Sequence, residues 1–365
     1  MKIDMHYYGV YVLARAAGVN REAAEIIATA SQFVDDNGMS EPSNLFDDGS
    51  RFYYKATGHH PKDVKENLNE KDQRHVWVPF HFMPGNKGAD FAQRLICQMD
   101  SPIANDMKEH NLSLFDRPYY LELMGITAHV YADTFAHYGF SGISHPLNMI
   151  AEDSIEHLNF ENPEIEAYVL GKAASFLKEF DISVLNLSSL LIQHGQSMIK
   201  FGSLGHGAAL TNPDRPYLKW KYTTVFPSGE PVERENTNDF MKACERLHEM
   251  FRLFLEVQPI YADNSGSDFN TIADQIQSIL QVQAPKKDRI KSWQEASRSG
   301  DLFPGSGETI PEYGGENWLA LRDKMGGSDS SIILDEPVYK FYQAAQAHRS
   351  YVLRDLLPEY GLVVA

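Results

Sequence analysis

The sequence predicts a mostly α protein, a multi-helix bundle carrying one small β-hairpin. Three observations predict it. Apolar residues recur at helical spacing along most of the chain, first at Tyr7, Val10, Leu13, Ala14 and Ala17. One stretch, 122–142, is apolar almost all round, and a helix apolar on every side belongs in the middle of its domain. Strand-like alternation is clear where Leu218, Trp220 and Tyr222 alternate with Tyr217, Lys219 and Lys221.

Taken in order, residues 4–17 form a first helix, ended by Gly18, with His6 in its first turn beside Asp4. Asn20 can cap a second helix running to about Val34, with Ala23, Ala24, Ile27, Ala30 and Phe33 on its apolar side. That helix ends in Asp35-Asp36-Asn37-Gly38. Carboxylates at a helix C-terminus oppose the dipole unless something positive sits there, although Asp-Asn-Gly is also ordinary turn chemistry. Residues 38–74 read as a long polar connection containing Gly58-His59-His60-Pro61. Residues 75–85 read as extended, because Val76, Val78 and Phe80 alternate with Trp77 and His81 before Pro84-Gly85.

Residues 88–110 look helical, and the central helix begins near Tyr119. Helices are expected at about 163–179 and 183–201. A loop follows in which His206 lies between glycines and Asp214 and Arg215 lie between prolines. Residues 217–234 read as the only hairpin, turning at Pro227-Ser228-Gly229. Helices at 238–258 and 268–283 precede a Gly/Pro/Ser-rich stretch, 298–316, and a last helix at about 336–357. The expected organisation is a helical metal-binding domain, 1–283, with a C-terminal extension, 284–365, of loop and final helix packed on it.

Composition bounds the function. With 43% hydrophobic and 12% aromatic residues, the chain of 365 has ample material for a core. A formal charge of −17 disfavours a basic-patch binder of nucleic-acid polymers. Two cysteines, Cys97 and Cys244, exclude a disulfide framework and a cysteine-rich zinc site. The N-terminus lacks the apolar core of a signal peptide, and no run is long enough to span a membrane. A cytoplasmic protein as made is expected, with export by a specialised system the alternative.

The central helix carries His129, Asp133 and His137 at i, i+4 and i+8, along one stripe, with Glu122 near the same stripe. Buried polar groups need partners, and a metal cluster is a good one. His129 and Asp133, one turn apart, can share an ion. His129 and His137, roughly 12 Å apart along the axis, cannot. Asp133 is then the natural bridge between two ions, and a metal-free hydrogen-bond network is the competing reading. The full set of candidate ligands is His6, Asp35 or Asp36, His59 or His60, His81, His129, Asp133, His137, His206 and Asp214. Nitrogen and oxygen donors of this kind suit zinc before iron or manganese.

In its order of ligands the sequence resembles the zinc-dependent phospholipase C and single-strand nuclease superfamily. An N-terminal histidine, an Asp ending the second helix, a loop histidine, a helical His-x3-Asp-x3-His and a later His with Asp carry the likeness. The central motif, His129-x3-Asp133-x3-His137, is similar to that of the glycosylphosphatidylinositol-specific phospholipase D catalytic domain, in the same superfamily. HYYGVYVLARAAGV, ASQFVDD and LGHGAALTNPDRPYLKW also resemble an uncharacterised bacterial family known only as a domain of unknown function, over about residues 4–222.

The resemblance implies a phospholipase C/nuclease-like bundle holding two or three zinc ions. One ion would take Asp35, a histidine from 59–81 (His59 or His81), His129 and Asp133. A second would take His137, His206 and Asp214. A third would take His6 and Asp133 with N-terminal groups. The superfamily uses an N-terminal tryptophan there, whereas this sequence starts at Met1 with no tryptophan before Trp77, so Asp4 is one substitute and absence of the third site the other. His206 and Asp214 are also eight apart, where the superfamily has His-x3-Asp or His-x3-Glu.

Such a cluster suits phosphoester hydrolysis, since paired ions about 3.5–4 Å apart activate water and hold phosphoryl oxygens. The expected catalytic residues are Asp133, bridging and positioning the nucleophile or acting as its base, and Arg215, pairing with a phosphate oxygen. A small phosphodiester or a phospholipid head group is the expected substrate. The alternatives are a non-hydrolytic helical metal-binding protein and a nuclease of the same superfamily.

Overall fold

Asn20 does what its position predicts: its side chain accepts from the Ala23 N–H at 3.0 Å and starts helix α2 (Arg21–Asp36). Before it, a π-helical turn (Asp4–Gly9) runs into α1 (Val10–Ala17), which Gly18 ends in a left-handed conformation at φ 105°. Every residue of that π turn is buried, His6 included. The computed structural model describes residues 1–364 except 39–42, 61–62, 152–153, 180–202, 227–228, 230, 264–265, 304–305 and 328.

The longer helices that follow are α3 (Pro102–Ser113), α4 (Tyr120–His137), α5 (Pro163–Glu179), α6 (Asn236–Val257), α7 (Ala273–Leu280), α8 (Lys286–Ser299), α9 (Gly315–Lys324) and α10 (Pro337–Tyr351). Helix α4 is the apolar stretch of the sequence, and it packs against α2, α3, α6 and α10. It approaches α2 closely at Gly125. A Cβ there would lie 2.4 Å from the Ile27 carbonyl oxygen and 2.6 Å from the Ala30 Cβ, so only glycine permits the contact. No helix among the described residues is long and apolar enough to cross a membrane.

Two small antiparallel sheets complete the described residues. Strands β1 (Ser43–Leu45) and β2 (Arg51–Tyr53) pair with Asn44 opposite Phe52. Strand β3 (Glu156–His157) pairs with β4 (Lys219–Tyr222), which pairs with β5 (Val232–Glu235), Trp220 opposite Arg234. The expected hairpin is thus present as β4 and β5, but it is neither alone nor two-stranded. The β1–β2 ribbon was invisible because each strand is three residues long and shows no consistent alternation of burial.

Residues 75–85 are not extended. Gln73–Trp77 is a π turn and Val78–Phe80 a short α turn, with Pro79 in a first-turn position that needs no N–H. Val78, Pro79, Phe80 and His81 are all buried, so the apparent alternation was not one face against another. Residues 88–110 hold two helices, Phe91–Arg94 and α3, rather than one. The central helix stops at His137, short of Gly142, and the helix expected at 183–201 lies outside the described residues.

The sequence reading overlooked α8 and α9. The buried positions of α8 are Arg289, Trp293, Ala296 and Ser297, a helical stripe in which only two members are apolar. Arg289 fits there because it makes a two-pronged ion pair with Asp4, at 2.7 and 3.0 Å. Glu308 likewise meets Arg15 at 2.8 Å and the Tyr11 hydroxyl at 2.5 Å. Residues on both sides of position 283 share one apolar cluster, with Trp293, Phe341 and Leu356 packed among side chains of α1, α2 and α4.

Candidate metal centre

Four histidines near the end of the bundle each spend one ring nitrogen on a backbone carbonyl. His129 Nδ1 faces the Ser31 oxygen at 2.8 Å, and His81 Nε2 faces the Thr57 oxygen at 2.8 Å. His137 Nδ1 faces the His81 oxygen at 2.9 Å, and His206 Nδ1 faces the Leu210 oxygen at 2.7 Å. A carbonyl only accepts, so those nitrogens carry the proton and the neutral ring's other nitrogen is a lone pair. The lone pairs converge on carboxylates. His129 Nε2 is 3.2 Å from Asp133 Oδ2 and 3.2 Å from His81 Nδ1, which is itself 3.3 Å from Asp133 Oδ2. Asp35 Oδ1 stands 3.9 Å from both rings. His137 Nε2 is 3.2 Å and His206 Nε2 3.7 Å from Asp214 Oδ1.

Acceptors facing acceptors are repulsive unless a cation lies between them, so this donor set fits a metal. Three groups of ligand atoms lie close enough to hold ions: Asp35, His81 and His129; His6, His129 and Asp133; and His137, His206 and Asp214. A carbonyl orienting the far nitrogen of a ligating histidine is the usual support of such sites. His6 points the same way. It stacks on His129 with ring centroids 3.9 Å apart, its Nε2 is 3.2 Å from Asp133 Oδ1, and neither of its nitrogens makes a hydrogen bond.

Asp133 divides its oxygens. Oδ2 serves His129 and His81, while Oδ1 serves His6 and the Met1 amino group, the latter at 2.6 Å. Met1 also lies 3.3 Å from Asp214 Oδ1, and Lys2 Nζ lies 2.8 Å from Asp214 Oδ2. Burial would raise the Asp214 carboxyl, but Lys2 and the Met1 ammonium hold it well below the usual range. For Asp133, burial is outweighed by His137 and the same ammonium. Burial lowers His6 to about 3 and His206 to about 4, and pushes His81 down as well.

The structure thus brings together seven expected ligands besides His6: Asp35, His81, His129, Asp133, His137, His206 and Asp214. The eight-residue separation of His206 from Asp214 is no obstacle, because a 3-10 turn at Gly207–Ala209 folds the loop back. His59 lines the cavity and neither of its ring nitrogens makes a hydrogen bond. It stands outside all three groups, with its Nε2 3.5 Å from Asp72, and His81 is the histidine of that region that joins the cluster. Asp36 is turned away from the cluster to Gln32 and Tyr313. Arg215 is buried, bonds Thr211 and Tyr217, and is not among the residues that line the cavity over the cluster. Glu122 joins none of the groups, and burial pushes it up to about 7.

That cavity, of about 750 Å³, is bounded by Asp35, His81, His137, His206 and Asp214 on the cluster side. Trp77, Phe82 and Leu204 give it apolar wall, while Lys2 and Lys286 bring cations. The resemblance had placed N-terminal groups beside His6 and Asp133, whereas sequence reasoning missed Lys2 and Gln32 and the carbonyls of Ser31 and Thr57. Backbone groups leave no mark in a sequence, although Gly58, whose Cβ would lie 3.1 Å from the Asp35 oxygen and 3.4 Å from His81 Nε2, is a trace of the crowding there.

Residues 1–356 match a family model described as a family of unknown function (DUF6765). The chain belongs to this family. The match runs from the N-terminal π turn into the turn that follows α10, so the DUF6765 unit includes the three groups of candidate ligands and the C-terminal helices alike. No curated protein and no solved structure matches the chain.

Proposed function

We propose that this DUF6765 protein is a zinc-dependent, phospholipase C-like phosphodiester hydrolase acting on a small phosphodiester or a phospholipid head group. The observation that carries the reading is the division of Asp133 between two groups of ligands beneath an open cavity. His129 has one lone pair to give, so the two groups containing it compete for it. Asp35, His81, His129 and one oxygen of Asp133 would hold one ion. His137, His206 and Asp214 would hold another, and His6 with the other oxygen of Asp133 would form a third position. Zinc fits these nitrogen and oxygen donors before iron or manganese. When bound, the ions would supply Lewis acidity toward phosphoryl oxygens and an acidified water.

The chain's own residues do the rest. Carbonyls of Ser31, Thr57, His81 and Leu210 lock the imidazoles in one tautomer and one orientation. Asp133 is committed on both oxygens, which favours a bridging part over that of a base. Lys2 and Lys286 take the place expected of Arg215 as cations able to meet phosphate oxygens. The charge of −17 argues against long nucleic acids as substrate. A non-hydrolytic metal-binding protein is the second reading, favoured for the His6, His129 and Asp133 group by its complete burial.

The test is elemental analysis of the purified protein followed by assay on bis-para-nitrophenyl phosphate. Several zinc equivalents per chain are expected, with hydrolysis that chelator removes and zinc restores. A metal-loaded protein inactive on this substrate and on mono- and diesters of phospholipids and nucleotides would overturn the hydrolase reading and leave the metal centre.

A further inference from the structure

Away from the ligand groups, the cavity wall between α2 and the segment before α9 carries an arrangement that the metal centre does not use. Gln32 is buried and lines the cavity. Its amide nitrogen is directed at Asp36 Oδ1, 3.3 Å away, and a carboxylate can only accept. Its carbonyl oxygen therefore faces elsewhere, and it has no hydrogen-bond partner. Beside it the Tyr313 hydroxyl donates to Asp36 Oδ2 at 2.6 Å. That proton is spent, so the phenol oxygen has only acceptor capacity left for anything in the cavity. Tyr313 is itself fixed: its ring meets the Tyr7 ring with centroids 5.2 Å apart, and the Tyr7 hydroxyl holds the Pro311 carbonyl at 3.1 Å. Glu316, one turn further on, also lines the cavity. This wall is rich in acceptors: the Gln32 carbonyl oxygen, the Asp36 carboxylate and the Tyr313 phenol oxygen.

We infer that Gln32, Asp36 and Tyr313 form a subsite for a hydrogen-bond-donating group, a hydroxyl or amino substituent on the organic part of the ligand. A buried carbonyl oxygen without a partner is costly, and a donor from the ligand would remove that cost. Next to Asp35 of the cluster, such a subsite selects phosphate esters of polyols or amino alcohols over those of simple alkyl alcohols. The inference rests on the proposed binding of a phosphate ester at the metal centre, and it adds which part of that ester the protein reads.

The experiment measures binding, so that it is separate from hydrolysis. Titration calorimetry of the purified, metal-containing protein compares glycerol 3-phosphate with n-propyl phosphate, and 2-aminoethyl phosphate with ethyl phosphate. The donor-bearing member of at least one pair is expected to bind roughly tenfold more tightly, the worth of about one well-made hydrogen bond. Which pair shows the preference tells a hydroxyl from an amine. Gln32→Met and Tyr313→Phe are expected to erase most of the preference while leaving the alkyl phosphates bound as before and the metal content unchanged. Equal affinity within both pairs, or a preference that survives both substitutions, overturns the subsite. Failure of all four probes to bind overturns it as well. A preference found in a protein that hydrolyses no diester supports the subsite while the hydrolase reading fails, so the two outcomes are distinguishable.

Discussion

The Ser31 carbonyl oxygen lies 2.8 Å from His129 Nδ1, and this contact decides which nitrogen of His129 meets the carboxylates. It exists because α2 and α4 touch one turn earlier, at Gly125. Gly125→Ala puts a methyl group against the Ile27 carbonyl, forcing the helices apart at a cost of roughly 1–3 kcal/mol. The expected result is a lower denaturation midpoint together with weaker metal retention. A variant of unchanged stability and metal content would show that the close approach is not needed.

Asp133→Ala should remove more than one equivalent of metal, since each oxygen of the carboxylate serves a different group. Elemental analysis after gel filtration reads this directly. His206→Ala, which touches one group alone, should cost a single equivalent. Equal losses in the two variants would argue against a bridge.

Ions that bind only the folded chain stabilise it by mass action. At a thousandfold excess over Kd one site contributes about 4 kcal/mol, so chelation should lower the melting temperature by on the order of 5–10 °C. Scanning calorimetry before and after dialysis against a chelator makes the comparison. An unchanged melting curve after verified metal removal would mean that the cluster adds nothing to folding.

Acid should destabilise the metal-free protein in a defined window. Burial lowers His6 to about 3, and His206 and His348 to about 4, from an ordinary 6.5. The unfolded chain takes up these protons as pH falls below 6.5, while the folded chain refuses them until about pH 4. Stability is therefore full above pH 6.5 and declines toward pH 4, by up to roughly 1.4 kcal/mol per pH unit for each histidine. Urea midpoints of chelated protein at pH 7.5, 6 and 5 should fall in that order, and a flat series would contradict it. His348 contributes as a core residue, its Nε2 facing the Pro79 carbonyl at 2.8 Å, so His348→Ala is expected to lower stability.

Arg289→Leu leaves Asp4 buried and unpaired two residues from His6. A loss of about 3–5 kcal/mol is expected, with partial recovery when Asp4→Leu is added. Chemical denaturation of the single and double variants measures both. If residues beyond 283 behave as one cooperative unit with the rest, the transition remains single; a small loss confined to a separate early transition would point to an independently unfolding C-terminal part.

The sequence by itself determined the helical class, the capped start of α2 and the buried central helix, because helical periodicity and an Asn cap are local properties. It also marked His129, Asp133 and His137, since three polar groups on an otherwise apolar helix have no cheap alternative to a shared partner. The pair Asp35-Asp36 was legible as carboxylates placed against the dipole of their own helix, and the resemblance, not the spacing, picked Asp35. Only the tertiary structure brought His81 within reach of His129 and Asp35, buried Arg215 against Thr211 and Tyr217, and brought Met1 and Lys2 to Asp214. Those choices depend on which backbone carbonyls lie within reach and on how loops fold back over 50 to 200 residues, and neither is encoded in local spacing. The helix α8 was hidden for the converse reason: its buried stripe is built around Arg289, and an arginine looks like a surface residue until its partner, Asp4, is seen from across the fold.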